Sequence, residues 1–180
     1  MSKKSVFCIA TSRHQADQIA DHLKTESFSN RDISVLFSDA VASGDVPEEK
    51  NIKAQQGPLA GGALSWIAGI GPLTITGIGP CRAAGPVMAA LNAGAAAGGI
   101  AGGLIGLGIP ELEARGYEGK VKEGRILISV HTEDIGDIAR ARDIFQQARA
   151  QDIYTASARK DNRQTTANPA SPLAERSSST

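Results

Sequence analysis

The chain holds few side chains able to do chemistry, and their spacing decides what they could do. The three histidines are His14, His22 and His131. His14 and His22 lie eight residues apart, about two helical turns, so they can share a helix face. No Cys or carboxylate stands at ligand spacing beside them, so no metal site is expected. His131 closes a strand-like run, and solvated surface is its expected setting. Cys8 sits in an apolar run and reads as a buried small hydrophobe. Cys81 precedes Arg82, a neighbour that lowers a thiol pKa when both share one environment. The two cysteines have neither metal-ligand spacing nor the makings of a disulfide framework, which fits a reducing compartment.

Two wider constellations add little. "GIGPLTITGIG" is glycine-rich like a phosphate loop, but it lacks a preceding strand and a following Lys-Ser/Thr. Ser, His and Asp are all present, yet no nucleophile-elbow sequence gathers them. No catalytic residue, cofactor-binding residue or metal ligand is therefore assigned, and the expectation is a protein that is not an enzyme and uses no cofactor. Lys+Arg and Asp+Glu number 19 each, so no net charge draws the chain to nucleic acid.

The elements that would position these groups fall into two similar halves. "SVFCIA" suits a buried strand. Ser12 and Gln15 form a capping-box pattern, and Ala16, Ile19, Ala20 and Leu23 mark one helical face. "ISVLFSD" alternates as a half-buried strand. "RILISVHT", a helix begun by Thr132, Glu133 and Asp134, and "QDIYTASA" repeat the plan. Along that second helix Ile135, Ile138, Ala141, Phe145 and Ala148 mark the buried face. The expected fold is α+β: a ferredoxin-like split βαβ sheet, its first and third strands central and its second and fourth at the edges. A short helix over "PELEARGYEGKVKEG" leads into the third strand, packed down by Leu112, Tyr117 and Val121. The expected boundaries are 1–39 for the first half and 40–57 for a polar linker. Residues 58–109 form an insertion, 110–158 complete the sheet, and 159–180 make a disordered, Ser/Thr/Pro-bearing tail.

The insertion is the unusual part. No charged residue occurs between Lys53 and Arg82, or between Arg82 and Glu111. Pro72, Pro80 and Pro86 preclude one continuous helix, so a Gly/Ala-rich helical hairpin bent near residues 72–86 is expected. Gly94, Gly98, Gly102 and Gly106 recur at every fourth position and give one helix a ridge without side chains. Gly57, Gly61, Ser65 and Gly69 form a matching row on the first arm. Such ridges let helices approach closely, between the two arms or between copies of the chain. The opposite faces carry Leu59, Leu64, Trp66, Ile67, Leu91, Ile100, Leu104, Ile105 and Leu107. They must meet lipid, the domain itself or a partner. Each arm is long enough to approach the roughly 30 Å of a bilayer core, although Gly and Ala insert weakly and Asn92 lies inside the second arm.

Three stretches together carry a family resemblance. They are "VFCIATSRHQADQIADHLKTESFSNRDISVLFSD", the block from "GIGPLTITGIGPCRAAGP" to "GLGIPELEARGYEGKVKEGRILISVH", and the closing βαβ, spanning about residues 5–156. The layout resembles the bacterial heat-induced general stress proteins of the YflT type, with a glycine-zipper insertion. That resemblance implies a stress-linked, non-enzymatic protein and supplies no catalytic residues. The combined expectation is a cytoplasmic, membrane-associated protein whose hairpin contacts membrane lipid or assembles homo-oligomers, without nucleic acid or metal. The alternative is a soluble cytoplasmic regulatory module that binds a small ligand at a dimer interface formed on an uncovered sheet face.

Overall fold

The computed structural model describes residues 3–39, 67, 70–75 and 77–157. Strand β1 (Lys4–Ala10) leads through helix α1 (Arg13–Thr25) to β2 (Ile33–Ser38). A β-hairpin of β3 (Gly71–Ile75) and β4 (Gly79–Ala84) follows, then helices α2 (Pro86–Gly106) and α3 (Glu111–Lys122). Strand β5 (Ile126–Thr132), helix α4 (Ile135–Gln147) and β6 (Gln151–Ser157) close the described chain. The protein is thus α+β, with one six-stranded sheet in the order β3-β4-β2-β5-β1-β6, every neighbouring pair antiparallel.

Local chemistry sets the helix starts. Ser12 caps α1, its Oγ accepting the Gln15 N–H at 3.2 Å. Gln15 returns its Oε1 to the Thr11 N–H, one residue earlier than a capping box requires, and its amide donates to the Ala148 and Arg149 carbonyls. That amide ties the start of α1 to the end of α4. Asp134 caps α4 through the Gly136 N–H, and Ile135 in the first turn is 69% exposed, not part of the buried face. Ile138, Ala141 and Phe145 are buried as the periodicity predicts and Ile144 is added to them, whereas Ala148 is the C-cap and only half-buried.

Side-chain alternation divides the core into two layers. Val6, Cys8, Ile33, Val35, Ile128 and Val130 join α1 and α4 on one face. Phe7, Ile9, Leu36, Cys81, Ala83 and Leu127 join α2 and α3 on the other. Strand β2 is therefore neither half-buried nor an edge: β4 pairs along it, and Ser34 and Leu36 lie beneath α2. The edges are β3 and β6.

The insertion differs from the expected helical hairpin. Its bend region is the β3–β4 hairpin, turned by Gly77 and Gly79 at positive φ. Pro72 is tolerated because β3 is an edge strand. Ile67, near the end of the expected first arm, is buried in the layer of α1 and α4, opposite to α2. Residues 58–66, 68 and 69 of that arm, the linker 40–57 and the tail 159–180 lie outside the described residues.

Candidate functional site

Helix α2 is the element around which the unusual features collect. It is two helical arms, not one: Gly98 (φ −152°, ψ 15°) and Gly99 (φ 63°, ψ −150°) break it. The Gly99 conformation is one that only glycine adopts readily. Residues 100–106 fold back on 86–97. A Cβ built on Gly102 would stand 3.1 Å from the Gly94 carbonyl oxygen, and one on Gly103 would stand 3.1 Å from the Leu91 Cα. Residues eight apart on a straight helix would be about 12 Å apart. The glycine ridge thus closes on itself within the second arm of the insertion.

The ridge residues have different fates. Gly94 and Gly102 meet, Gly98 forms the bend, and Gly106 and Gly98 have open space where a side chain would stand. Gly57, Gly61, Ser65 and Gly69 lie outside the described residues, as do Leu59, Leu64 and Trp66. The apolar face of the bent helix is settled by the structure. Val87, Leu91, Ile100 and Leu104 are fully buried and share one cluster with Phe7, Ile9, Leu36 and Leu127 of the sheet. Ile105 remains 44% exposed. Among the described residues no helix is long and apolar enough to cross a membrane.

Helix α3 holds the returning arm in place. Glu118 accepts the Ala101 N–H at 2.8 Å, at the start of that arm, and also pairs with Lys122. Tyr117 packs near Phe7, and its hydroxyl donates to the Asp152 carbonyl at 2.5 Å. Lys120 pairs with the Asp152 carboxylate. Leu112, expected to help pack this helix, is 81% exposed, whereas Tyr117 and Val121 are buried as expected. A groove of about 480 Å³ runs between α3 and the returning arm, lined by Gly98, Gly102, Ile105, Glu111 and Arg115.

Beneath the first turn of α2 lies a polar cluster inside this apolar layer. The register sets Ser5 opposite His131 and Ser34 opposite Ser129. Ser129 and His131 share a face because they are two residues apart on β5. All four are at most 5% exposed, so His131 is not the solvated strand end its position predicts. Its Nδ1 is 2.7 Å from Ser5 Oγ, and its Nε2 is 3.0 Å from Ser34 Oγ and 2.8 Å from Ser129 Oγ. The Val87 N–H donates to Ser34 Oγ at 3.1 Å. In the tautomer protonated at Nδ1, that nitrogen donates to Ser5 and Ser34 donates its own proton to Nε2. Burial first, and then Lys3, lower the His131 pKa to about 4. Gly85 makes this approach possible: at φ 75°, a Cβ there would stand 2.3 Å from the Ile33 carbonyl oxygen. The sequence hint was the Ser129/His131 spacing alone, because Ser5 and Ser34 arrive only through strand register.

No protein-family model, curated protein or solved structure matches the chain.

The other candidate groups remain apart. His14 and His22 are exposed on α1, with His14 Nε2 3.2 Å from Gln18, and no metal-ligand group occurs among the described residues. Cys8 is fully buried, which raises its pKa well above the usual thiol value. Cys81 is not activated by its neighbour Arg82. It lies on β4, 1% exposed, and burial and then Asp39 raise its pKa. The neighbouring Arg82 alternates away and pairs with Asp39 at 2.8 Å.

Proposed function

We propose that the protein is a non-enzymatic, stress-associated bacterial protein of the YflT type whose glycine-zippered hairpin is an association element. In this reading β6-β1-β5-β2, with α1 and α4, is a ferredoxin-like split βαβ core, and β3, β4, α2 and α3 are built onto it. The hairpin works from the cytoplasm, meeting a second copy of the chain or the membrane surface. The observation that carries the reading is the uneven use of the glycines. Gly94, Gly102 and Gly103 close the hairpin internally, while Gly98 and Gly106 leave open backbone beside exposed Ile105. A side-chain-free ridge with an apolar neighbour permits close approach of another helix.

The alternative, a soluble regulatory module with a ligand at a dimer interface, started from an uncovered sheet face. Helices α2 and α3 pack on that face, which favours the association reading.

The test is Gly98→Leu in the full chain. Sedimentation at micromolar concentration should give an oligomer for the wild type and a lower mass for the variant, with unchanged circular dichroism. Membrane fractions washed with carbonate decide the lipid contact: retention that Gly98→Leu abolishes supports it. A monomeric wild type fully released by carbonate would overturn the association reading.

A further inference from the structure

We infer that His131 is a proton-operated latch on the glycine-rich hairpin: protonation of its imidazole releases the first turn of α2 from the sheet. The latch goes beyond the association reading, because it concerns when the hairpin leaves the sheet and not what it then meets.

The connection is short and direct. His131 Nε2, Ser34 Oγ and the Val87 N–H form a chain of two hydrogen bonds from the middle of the sheet to the start of α2. In the neutral tautomer that carries its proton on Nδ1, the imidazole accepts at Nε2, so Ser34 donates there while accepting from Val87. Imidazolium donates at both nitrogens. Ser34 Oγ and Ser129 Oγ would then face a donor, and their own hydroxyl protons would need other acceptors. The Ser34 oxygen must serve two donors or surrender Val87.

Among the described residues, the side chains within hydrogen-bond reach of the imidazole are neutral hydroxyls. From β1 the imidazole meets the Ser5 hydroxyl and the edge of Phe7, at 5.7 Å between centroids. From β2 and β5 it meets Ser34 and Ser129. The arm 86–97 of α2 contains no ionisable residue. The charged group acting on the imidazole is Lys3, which opposes protonation. Pro86 lacks an N–H, and Gly85 offers no side-chain cap, so Ser34 supplies the side-chain hydrogen bond to the first turn of α2. The turn is thus poised on one hydroxyl whose orientation the imidazole sets.

The sign follows from linkage. His131 is lowered to about 4 with α2 seated, and a solvated histidine titrates near 6.5. The seated form is therefore favoured fully above pH 6.5 and loses ground as pH falls toward 4. Between pH 7.5 and 5.0, the seating equilibrium should weaken roughly thirtyfold if His131 is solvated on release.

Hydrogen exchange of the full chain tests the latch. Exchange must be expressed as protection factors, to remove the intrinsic pH dependence. Residues 86–106 should lose roughly thirtyfold in protection between pH 7.5 and 5.0, while β1 and β5 change far less. His131→Gln, which cannot titrate, should remove that dependence. Equal loss across the sheet, no loss in 86–106, or an unchanged response in His131→Gln overturns the latch. Should His131→Gln fail to fold, the imidazole resonance of the wild type decides. A titration of His131 that leaves 86–106 protected refutes the latch, and one that tracks their loss supports it. No membrane or assembly is needed, so failure here leaves the association reading standing, and the reverse holds too.

Discussion

The same substitution, Gly to Ala, should have opposite effects at Gly103 and Gly116. Both are helical, and Ala improves helix propensity by about 1 kcal/mol over Gly. At Gly116, exposed on α3, a Cβ would have no neighbour within 4 Å. Gly116→Ala should therefore stabilise the protein by about 1 kcal/mol. At Gly103 the Cβ would stand 2.8 Å from Leu91 Cδ2, 3.1 Å from Leu91 Cα and 3.3 Å from the Ala90 carbonyl oxygen. Carbon contacts are most favourable at about 3.5–4.0 Å, so the arms must part by several tenths of an ångström. The leucine methyl can turn away, but the Leu91 backbone cannot. Overpacking of this kind costs about 1–3 kcal/mol, which outweighs the propensity gain when parting the arms also lifts Leu104 from the sheet. The two variants should differ by about 2 kcal/mol. Urea unfolding followed by two optical probes measures this. With a slope near 2 kcal/mol/M, the midpoints should lie about 1 M apart. A Gly103→Ala midpoint equal to that of Gly116→Ala would refute the close-packed hairpin, since Gly103 would then be ordinary exposed helix.

Two further outcomes probe other parts of the fold. Tyr117→Phe removes the hydroxyl that donates to the Asp152 carbonyl and should lower stability by about 1 kcal/mol in the same urea assay, with faster amide exchange in β6. No loss would mean that this bond does not help anchor α3 over the sheet. Cys8 and Cys81, both buried with raised pKa, should react with a thiol reagent at pH 8 only as fast as the protein opens, and within the mixing time in denaturant. Fast labelling of the native chain would contradict their burial.

The two βαβ halves were legible because their signals are local. A run such as "SVFCIA", a cap such as Ser12 and a stripe such as Ile19 and Leu23 each state their own structure. Composition does not distinguish lipid from protein as the apolar surroundings of the insertion. Long uncharged sequence can mean a bilayer, or it can mean a strand pair and a helix packed within one domain. The alternation of Leu73 and Ile75, and of Cys81 and Ala83, was the strand signal in the insertion, obscured by Pro72 and Pro80. The bend in α2 required no proline. Gly98-Gly99 supplied it, and the fourfold glycine spacing looked like a straight ridge because nothing in a repeat announces where it turns.

His131 illustrates the deeper limit. A histidine ending a strand is expected at the surface when its strand has one solvated face. Here α2 covers that face, and the imidazole is enclosed by hydroxyls from three strands. Its setting depends jointly on strand register, on Gly85 lying against Ile33, and on a helix bent back at glycines. None of these is visible from residues near 131. They are also mutually dependent. Without Gly85 the first turn of α2 cannot approach Ser34, and without that approach the polar cluster would open to water. The cluster and the glycine-rich hairpin are therefore one arrangement, and a change that disturbs either should register in the other.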